Sequence, residues 1–289
     1  MKVIEMTEES FNDEIAVISV FNDDPSQLIS KFPKIALFDQ SSKSEIRNLI
    51  DIEYPNRIRV DNYGTSLPNY FSYIIEYYNE LPSRLFFLKS NVFPRHISEA
   101  RFDQKLNLEG LIPFFNDENF KDKSRVAYHL IPGYFIERNN SWYMQEKLSK
   151  YFASYNNLLD YIFVKPIFPE YVLFAPGANY STTKTSIQKY PLNFWKFLYF
   201  LTSYNFFPPE AFLIERMFFT ILTSEYEIRL ENFDELWFSK LNNIELSLKN
   251  MDKNGTYKKS NLKTKVFYSK VKNRIIDKVI YELERRKLL

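Results

Sequence analysis

Polar side chains follow the ends of two early hydrophobic runs in this sequence. Asn22 and Asp23 come directly after the run Glu14–Phe21, and Asp39 comes directly after the run Lys34–Phe38. In open α/β sheets ligands collect at the carboxyl ends of strands, so these side chains are candidates for binding a nucleotide, with Asp39 on its ribose or base edge. Asn-Asp-Asp-Pro is also common turn and helix-cap chemistry, and that alternative stays open for Asp23.

A second candidate lies between the run Arg57–Asp61 and the helical pattern that begins near Leu67. Asn62 and Gly64 occupy this junction, and exposed backbone N–H groups at the start of a helix suit a diphosphate. The alternative is structural: a glycine turn followed by Ser66 as the N-cap of the helix.

The third candidate is Lys89 with Asn91, directly after the hydrophobic run Arg84–Leu88. A pair of carboxylates at such a point would hold Mn²⁺ or Mg²⁺ on a diphosphate, but no carboxylate is present here. We therefore expect Lys89 to supply the positive charge, with a merely solvated lysine as the alternative. No metal-ligating protein residue is predicted, and dependence on Mn²⁺ or Mg²⁺ is left open.

The fourth candidate is Glu210, which follows Pro208 and Pro209 at the start of an apolar helical pattern. A carboxylate in the first helical turn is stabilised by the helix dipole and is placed to act as a general base on a hydroxyl. The general preference for acids at helix starts explains Glu210 equally well. The two histidines, His96 and His129, have no carboxylates at ligand spacing, which argues against a histidine metal centre.

The elements that must position these residues alternate between strand and helix patterns. This order predicts an α/β fold with a mostly parallel, Rossmann-like central sheet flanked by helices. The predicted strands are Glu14–Phe21, Lys34–Phe38, Arg57–Asp61, Arg84–Leu88, Tyr171–Phe174 and Ala178–Thr182. The predicted helices are Leu67–Glu80, Trp142–Asn156, Pro191–Ser203 and Pro208–Leu222.

Charge divides the chain into an acidic body and a basic tail. Lys249–Leu289 carries 13 Lys/Arg and 4 Asp/Glu, a net charge of +9 that leaves −7 of the overall +2 for residues 1–248. We predict one α/β domain over 1–248 with an insertion at 92–170, a loop over Lys249–Thr256, and then a basic amphipathic helix at 266–287. That helix is expected either to pack on the acidic body or to contact an anionic membrane surface.

Composition excludes several classes of function. The absence of cysteine excludes thiolate catalysis and zinc ribbons and fits a cytoplasmic protein, peripheral to the inner face of a membrane if the tail binds one. The five glycines are too scattered for a phosphate-binding glycine loop. The acidic body argues against nucleic acid as a partner. The oligomeric state is not predicted.

Several of these segments together resemble a known family. The stretches are the Phe21-Asn22-Asp23 turn, Asn62–Gly64, Tyr70–Pro82 ending in Asn-Glu-Leu-Pro, Leu85–Leu88, Gly177–Ser181 and Glu210–Arg216. In this order they resemble an uncharacterised glycosyltransferase-like family of fungi and bacteria, whose members read Asn-x-Gly-Arg-Glu, then Asn-Leu-Pro, then Phe-Leu-Gln-Gly. The match leaves out 96–170 and the tail, and Thr65-Ser66 and Lys89-Ser90 differ from the family's Arg-Glu and Gln-Gly.

The resemblance implies the A-type glycosyltransferase fold and transfer of a sugar from a nucleotide-sugar donor. The acceptor would be a hydroxyl of a surface glycan or a lipid-linked glycan, with Glu210 as the base. The nucleotide would lie over Asn22, Asp23, Asp39, Asn62 and Gly64, with Lys89 and Asn91 at the diphosphate. The alternative is a non-catalytic glycan-binding or assembly subunit of the same fold, because the metal-binding carboxylates and two family motifs are altered.

Overall fold

The computed structural model describes residues 13–115, 133–139 and 149–253, and all structural statements below concern these ranges. The strands are β1 Glu14–Val20, β2 Ile35–Asp39, β3 Ile58–Arg59, β4 Arg84–Lys89, β5 Ile112–Pro113, β6 Phe135–Arg138, β7 Tyr171–Phe174 and β8 Tyr180–Thr183. The helices are α1 Ser26–Ile29, α2 Ser44–Glu53, α3 Leu67–Glu76, α4 Glu99–Leu106, α5 Tyr155–Ile162, α6 Lys184–Gln188, α7 Leu192–Ser203, α8 Pro209–Thr223 and α9 Trp237–Lys253. Short 3₁₀ turns lie at Ser90–Val92 and Leu230–Phe233.

The protein is an α/β protein built on a mostly parallel six-stranded sheet. The strand order is β3-β2-β1-β4-β8-β5, with β1 to β4 parallel to one another and β8 antiparallel to both of its neighbours. The chain moves outward from β1 to β2 and β3, then returns through α3 to place β4 on the other side of β1. The strand order therefore reverses between β1 and β4, which makes their carboxyl ends a topological switch point.

Helices cover both faces of the sheet because its central strands are apolar on both sides. In β4, Leu85 and Phe87 belong to one core cluster, while Phe86 and Leu88 belong to the other. Helices α3, α5, α7 and α8 pack on the first face, and α1, α2 and α4 pack on the second. Such a continuous apolar run is what a strand buried on both faces requires.

The strand predictions are confirmed in position, with corrections in pairing. The predicted strand Tyr171–Phe174 forms as β7, but it pairs with β6 in a separate two-stranded sheet outside the central one. The extended segment predicted at Ala178–Thr182 forms as β8 and joins the central sheet antiparallel to β4. The predicted strand Arg57–Asp61 is reduced to the two exposed residues of β3, an edge strand with one neighbour.

One helix prediction is corrected in the region before α5, and its residues 142–148 lie outside the described ranges. The helix predicted at Trp142–Asn156 is wrong over 149–154, which are not helical, and α5 begins only at Tyr155. The reason is a tertiary contact: the backbone N–H groups of Lys150 and Tyr151 donate to the Glu210 carboxylate, so they do not take part in helical hydrogen bonds. Ser154 then caps α5 by accepting from the Asn157 N–H at 3.1 Å.

Ser66 and the predicted tail also differ from expectation. Ser66 stands at the N-cap position of α3 but caps nothing, and its hydroxyl donates instead to the Gly177 carbonyl at 3.4 Å. The loop predicted at Lys249–Thr256 is wrong for its first five residues, since α9 runs to Lys253 and no glycine or proline interrupts it before Gly255. The basic helix predicted at 266–287 lies outside the described residues, as does His129. No helix in the described ranges is long and apolar enough to cross a membrane.

Candidate functional site

A cleft opens at the switch point between β1 and β4. Ser19, near the end of β1, is the register partner of Lys89, the last residue of β4, and both line this cleft. The cleft has a volume of about 370 Å³, within the range of roughly 300–1,000 Å³ that small-molecule sites occupy. We call this cavity the main cleft.

Five segments of the chain build the walls of the main cleft. They are the ends of β1 and β2, the loop from β3 to α3, the turn after β4, and the loop between α7 and α8. The lining residues are Ser19, Phe21, Asp23, Gln40, Asn62, Gly64, Thr65, Ser66, Lys89, Ser90, Asn91, Arg95, Phe206 and Phe207.

Two cations in the main cleft have no acidic partner in contact. Neither the Lys89 ammonium nor the Arg95 guanidinium forms a hydrogen bond or ion pair with any residue in the described ranges. Burial lowers the pKa of Lys89 below its usual value, the negative charge of Glu215 opposes this shift, and the charge of Arg95 adds to it by a smaller amount. Two unpaired cations at the carboxyl edge of a sheet provide a site for an anion, because phosphate groups supply the missing acceptors.

The backbone at Lys89 is held rigidly by a buried side chain. Asn179 is fully buried, and its Oδ1 accepts the Lys89 N–H at 2.9 Å. Its amide nitrogen donates to the Pro176 carbonyl at 3.2 Å. Asn179 therefore ends the pairing of β4 with β8 at the residue where Lys89 enters the cleft.

Three other lining residues carry a buried polar atom that has no hydrogen-bond partner in the described ranges. These atoms are Gln40 Oε1, Thr65 Oγ1 and Asn91 Oδ1. Buried polar groups are nearly always hydrogen-bonded in native proteins, so a group of such atoms around one cavity indicates that a polar ligand completes them. The cleft floor is otherwise well ordered, because Ser19 Oγ accepts from Asn69 at 2.8 Å and from Gln40 at 3.2 Å.

Aromatic rings form the outer rim of the main cleft. Phe21 is 43% exposed and Phe206 is 63% exposed, which leaves both rings open for stacking against a flat ligand. Phe207 packs over Gly64, where a Cβ atom would lie 2.2 Å from the ring, and the backbone of Gly64 has a φ of +85°. Both requirements explain why this turn contains glycine.

Five of the predicted site residues meet in the main cleft. They are Asp23, Asn62, Gly64, Lys89 and Asn91. Asn62 also shapes the turn, because its Oδ1 accepts the Gly64 N–H at 2.8 Å. Polar residues that directly follow parallel strands were therefore a useful signal, since the fold gathers those positions at one edge.

Asn22 and Asp39 lie beside the cleft and do not line it. Asn22 joins two loops: its Oδ1 accepts the backbone N–H groups of Ser42 at 2.9 Å and Lys43 at 2.8 Å. Asp39 is fully buried, accepts the Ser41 N–H at 2.8 Å and pairs with Arg59 at 2.7 Å. Both side chains shape the loops that carry Phe21 and Gln40.

Glu210 lines neither this cleft nor the smaller pocket beside it. It is fully buried, and one carboxylate oxygen accepts the N–H groups of Lys150 at 2.7 Å and Tyr151 at 2.8 Å. The other oxygen accepts the Tyr204 hydroxyl at 2.6 Å. Burial raises the pKa of Glu210, and these three donors oppose that shift. This geometry is that of a carboxylate which joins the start of α8 to the segment before α5.

Several lining residues were not identified from the sequence. Arg95 follows a 3₁₀ turn. Gln40 follows Asp39, and Asp39 was the residue predicted to bind a ligand at the end of this strand. Phe206 reaches the cleft from the loop between α7 and α8, more than a hundred residues after the loops it faces. The exposure of such a phenylalanine depends on tertiary packing and leaves no local pattern in the sequence.

A buried histidine beside the cleft is expected to make the fold sensitive to acid. His96 is 5% exposed, and neither ring nitrogen has a hydrogen-bond partner in the described ranges. Burial, together with the charges of Lys89 and Arg95, lowers the pKa of His96 from 6.5 to about 3. The folded state therefore keeps His96 neutral where the unfolded chain takes up a proton, so this stability is present above pH 6.5 and is lost as the pH falls from 6.5 towards 3.

Lowering the pH from 7 to 5 is expected to reduce the free energy of unfolding of wild type. We expect this reduction to be about 2 kcal/mol smaller in His96→Met. Urea denaturation of wild type and variant at both pH values measures the two losses, and all other titrating groups are common to both proteins. Equal losses in the two proteins would show that, between pH 7 and pH 5, folded His96 takes up a proton as readily as it does in the unfolded chain.

The comparisons with known proteins add no assignment. The chain matches no family model, no curated protein and no solved structure. The chemistry of the site must therefore be argued from its own residues.

The described residues do not provide a metal centre. No group of three or more His, Asp or Glu side chains in the described ranges is placed to hold a metal ion. The main cleft is lined by one carboxylate, Asp23, together with the cations Lys89 and Arg95. This donor set does not fit a divalent cation, which requires several oxygen ligands, most of them carboxylates.

Proposed function

We propose that this chain is a nucleotide-sugar-dependent glycosyltransferase of the A-type fold and that the main cleft binds the donor. The observation that carries this proposal is the pair Lys89 and Arg95, two cations that have no acidic partner in contact among the described residues and that lie at the switch point of a mostly parallel sheet. Nucleotides bind at this place in open α/β sheets, and diphosphates require the charge that these residues supply.

The remaining lining residues support a nucleotide rather than a simple anion. The exposed rings of Phe21 and Phe206 offer stacking surfaces for a base, and stacking on an aromatic side chain favours any base in the order of 1–3 kcal/mol. The polar atoms of Gln40, Thr65 and Asn91 offer hydrogen bonds to base, ribose or phosphate oxygens. A cleft of about 370 Å³ accommodates a nucleoside diphosphate with part of its length open to solvent.

In the proposed reaction, the oxygen of an acceptor hydroxyl attacks the anomeric carbon of the donor sugar. The bond from that carbon to the diphosphate breaks, and its electron pair leaves with the nucleoside diphosphate, where Lys89 and Arg95 stabilise the developing charge. The hydroxyl proton goes to a carboxylate base. We assign this role to Asp23, which lines the main cleft, and no longer to Glu210, which does not. The acceptor in this proposal is a glycan or a lipid-linked glycan.

A thermal-shift screen against UDP-, GDP-, CMP- and dTDP-sugars, each with and without Mn²⁺, tests this function. One nucleotide class is expected to raise the melting temperature by roughly 5–10 °C at a concentration of 100 times Kd, because a ligand that binds only the folded state stabilises it. Mn²⁺ is expected to add nothing to that shift, since the cleft lacks the carboxylates to hold it. Absence of a shift with every donor, in protein with a cooperative melt, would overturn the proposal.

The alternative is a non-catalytic glycan-binding or assembly subunit, and the engagement of Glu210 favours it. The carboxylate predicted as the base is fixed by three donors, which leaves Asp23 as the carboxylate on the wall of the main cleft. Release of free nucleoside diphosphate from the bound donor separates the two functions. A transferase hydrolyses its donor slowly when no acceptor is present, whereas a binding subunit leaves it intact.

A further inference from the structure

A second, smaller cavity adjoins the main cleft, and we call it the side pocket. Its volume is about 60 Å³, and it shares Gly64, Thr65, Ser66, Lys89 and Phe207 with the main cleft. The side pocket is several times smaller than the main cleft, so it suits part of a ligand whose larger part lies in the main cleft. Lys89 lines both cavities.

Glu215 is the carboxylate that lines the side pocket. Its Oε1 accepts the Gly177 N–H at 2.6 Å, and its Oε2 pairs with Arg216 at 3.1 Å. Arg216 is almost fully buried and also pairs with the buried Glu137 at 2.8 Å. In the described ranges one guanidinium thus pairs with two carboxylates, and the charge of Glu215 also acts on Lys89, which lines the same pocket.

The rest of the side-pocket wall is apolar or small. It consists of Leu67, Ala178, Ala211, Phe207 and Phe212 together with Gly64 and Gly177. A group that enters this pocket therefore meets two charged side chains, Lys89 and Glu215, and the polar residues Thr65 and Ser66, and the remaining wall is apolar or small. Each carboxylate oxygen of Glu215 has accepting capacity beyond its single bond to the protein.

We propose that the side pocket binds one edge of the donor sugar and that this sugar is neutral, with hydroxyl groups that donate to Glu215. The inference rests on the proposed function, in which the diphosphate lies beside Lys89 in the main cleft. Because Lys89 borders both cavities, the sugar attached to that diphosphate extends into the side pocket. The bond broken in transfer then lies at the junction of the two cavities.

Charge makes the pocket selective against acidic sugars. Hydroxyl groups donate hydrogen bonds to a carboxylate, and a uronic acid instead brings a second carboxylate against Glu215 in a pocket with apolar walls. Like charges brought together at a binding site are strongly unfavourable. Lys89 does not offset this repulsion, because the negative charge of the diphosphate already neutralises its positive charge.

Isothermal titration with UDP, UDP-glucose and UDP-glucuronate, and with GDP, GDP-mannose and GDP-mannuronate, tests the inference. Wild type is expected to bind the uronate at least about tenfold more weakly than the neutral sugar nucleotide. Glu215→Gln is expected to bind the neutral sugar nucleotide several-fold more weakly, to lose most of the discrimination against the uronate, and to bind the free nucleotide no more weakly than wild type. The glutamine keeps an acceptor for the Gly177 N–H, and Glu225→Gln, at an exposed carboxylate outside both cavities, is the matched control.

The outcomes separate the inference from the proposed function. If the nucleotides bind but wild type takes neutral and acidic sugars equally, or Glu215→Gln leaves their ratio unchanged, the side pocket does not hold the sugar and the inference is overturned while the function stands. If neither the six ligands nor the CMP- and dTDP-sugars of the thermal-shift screen bind to folded wild type, the proposed function fails and the inference fails with it.

Discussion

Lys89→Met is expected to weaken binding of the nucleoside diphosphate roughly a hundredfold, because truncating one member of a buried charge pair costs about 2–5 kcal/mol. The ammonium lies at the end of β4 between the two cavities and has no bonded partner in the described ranges. A diphosphate supplies that partner, and methionine fills a similar volume without the charge. Isothermal titration of both proteins with the nucleotide that stabilises wild type measures the change.

Lys89→Met is not expected to lower the stability of the fold, although it weakens nucleotide binding. An ammonium held away from water without a partner carries a desolvation cost, which is why burial lowers the pKa of Lys89. Removing it is therefore expected to leave the free energy of unfolding unchanged or to raise it. A lysine with a purely structural role would give a loss of stability, so a urea titration beside the binding experiment distinguishes the two roles.

The matched control for Lys89→Met is Lys43→Met. Lys43 is exposed, lies outside both cavities and is also a lysine close to the carboxyl edge of the sheet. Its loss lowers the net charge by the same amount and is expected to change affinity by less than about twofold, because exposed charges are screened by salt. Equal losses of affinity in the two variants would mean that long-range charge, rather than a contact at Lys89, binds the nucleotide.

Much of the fold was accessible from local sequence patterns because the central strands are buried on both faces. The apolar run Arg84–Leu88 and the helical face from Leu67 predicted β4 and α3, and the fold then brings the strand ends together. The same logic predicted Lys89 and Asn91, because a polar residue directly after a buried strand lies at the sheet edge. The patterns did not predict which strands pair with each other. β7 pairs with β6 in a separate sheet and is not part of the central sheet.

Local sequence patterns did not predict the contacts between segments that are distant in the chain. Phe206 and Arg95 line the main cleft because of the path of a loop and a turn, and neither belongs to a periodic segment. Glu210 illustrates the limit most clearly. An acid in the first turn after two prolines predicts where a helix begins, but the direction in which that turn faces depends on the segment packed against it. Here that segment is 149–151, within a region predicted as helix.

Glu210→Ala is expected to lower the free energy of unfolding by about 3–5 kcal/mol, since it leaves several buried donors without an acceptor. The N–H groups of Lys150 and Tyr151 and the hydroxyl of Tyr204 all donate to this carboxylate, which is fully buried. A loss of this size is a large part of the 5–15 kcal/mol that stabilises a typical domain. Urea denaturation at pH 7 measures it, and Glu225→Ala, at an exposed position on the chain after α8, is expected to change stability by less than about 0.5 kcal/mol.

Glu210→Gln tests whether the carboxylate has a chemical role as well, because it preserves most of the hydrogen bonding. Its Oε1 still accepts from the two backbone N–H groups, and its amide donates to the Tyr204 oxygen, so a cost of only about 1 kcal/mol is expected. Because Glu210 lines neither cavity, this variant should bind the nucleotide and release it from the sugar donor at the wild-type rate. A well-folded Glu210→Gln protein that binds donor normally but no longer turns it over would return the role of base to Glu210. Wild-type turnover in Glu210→Gln, together with a large loss of stability in Glu210→Ala, would fix the role of Glu210 as joining α8 to the segment before α5.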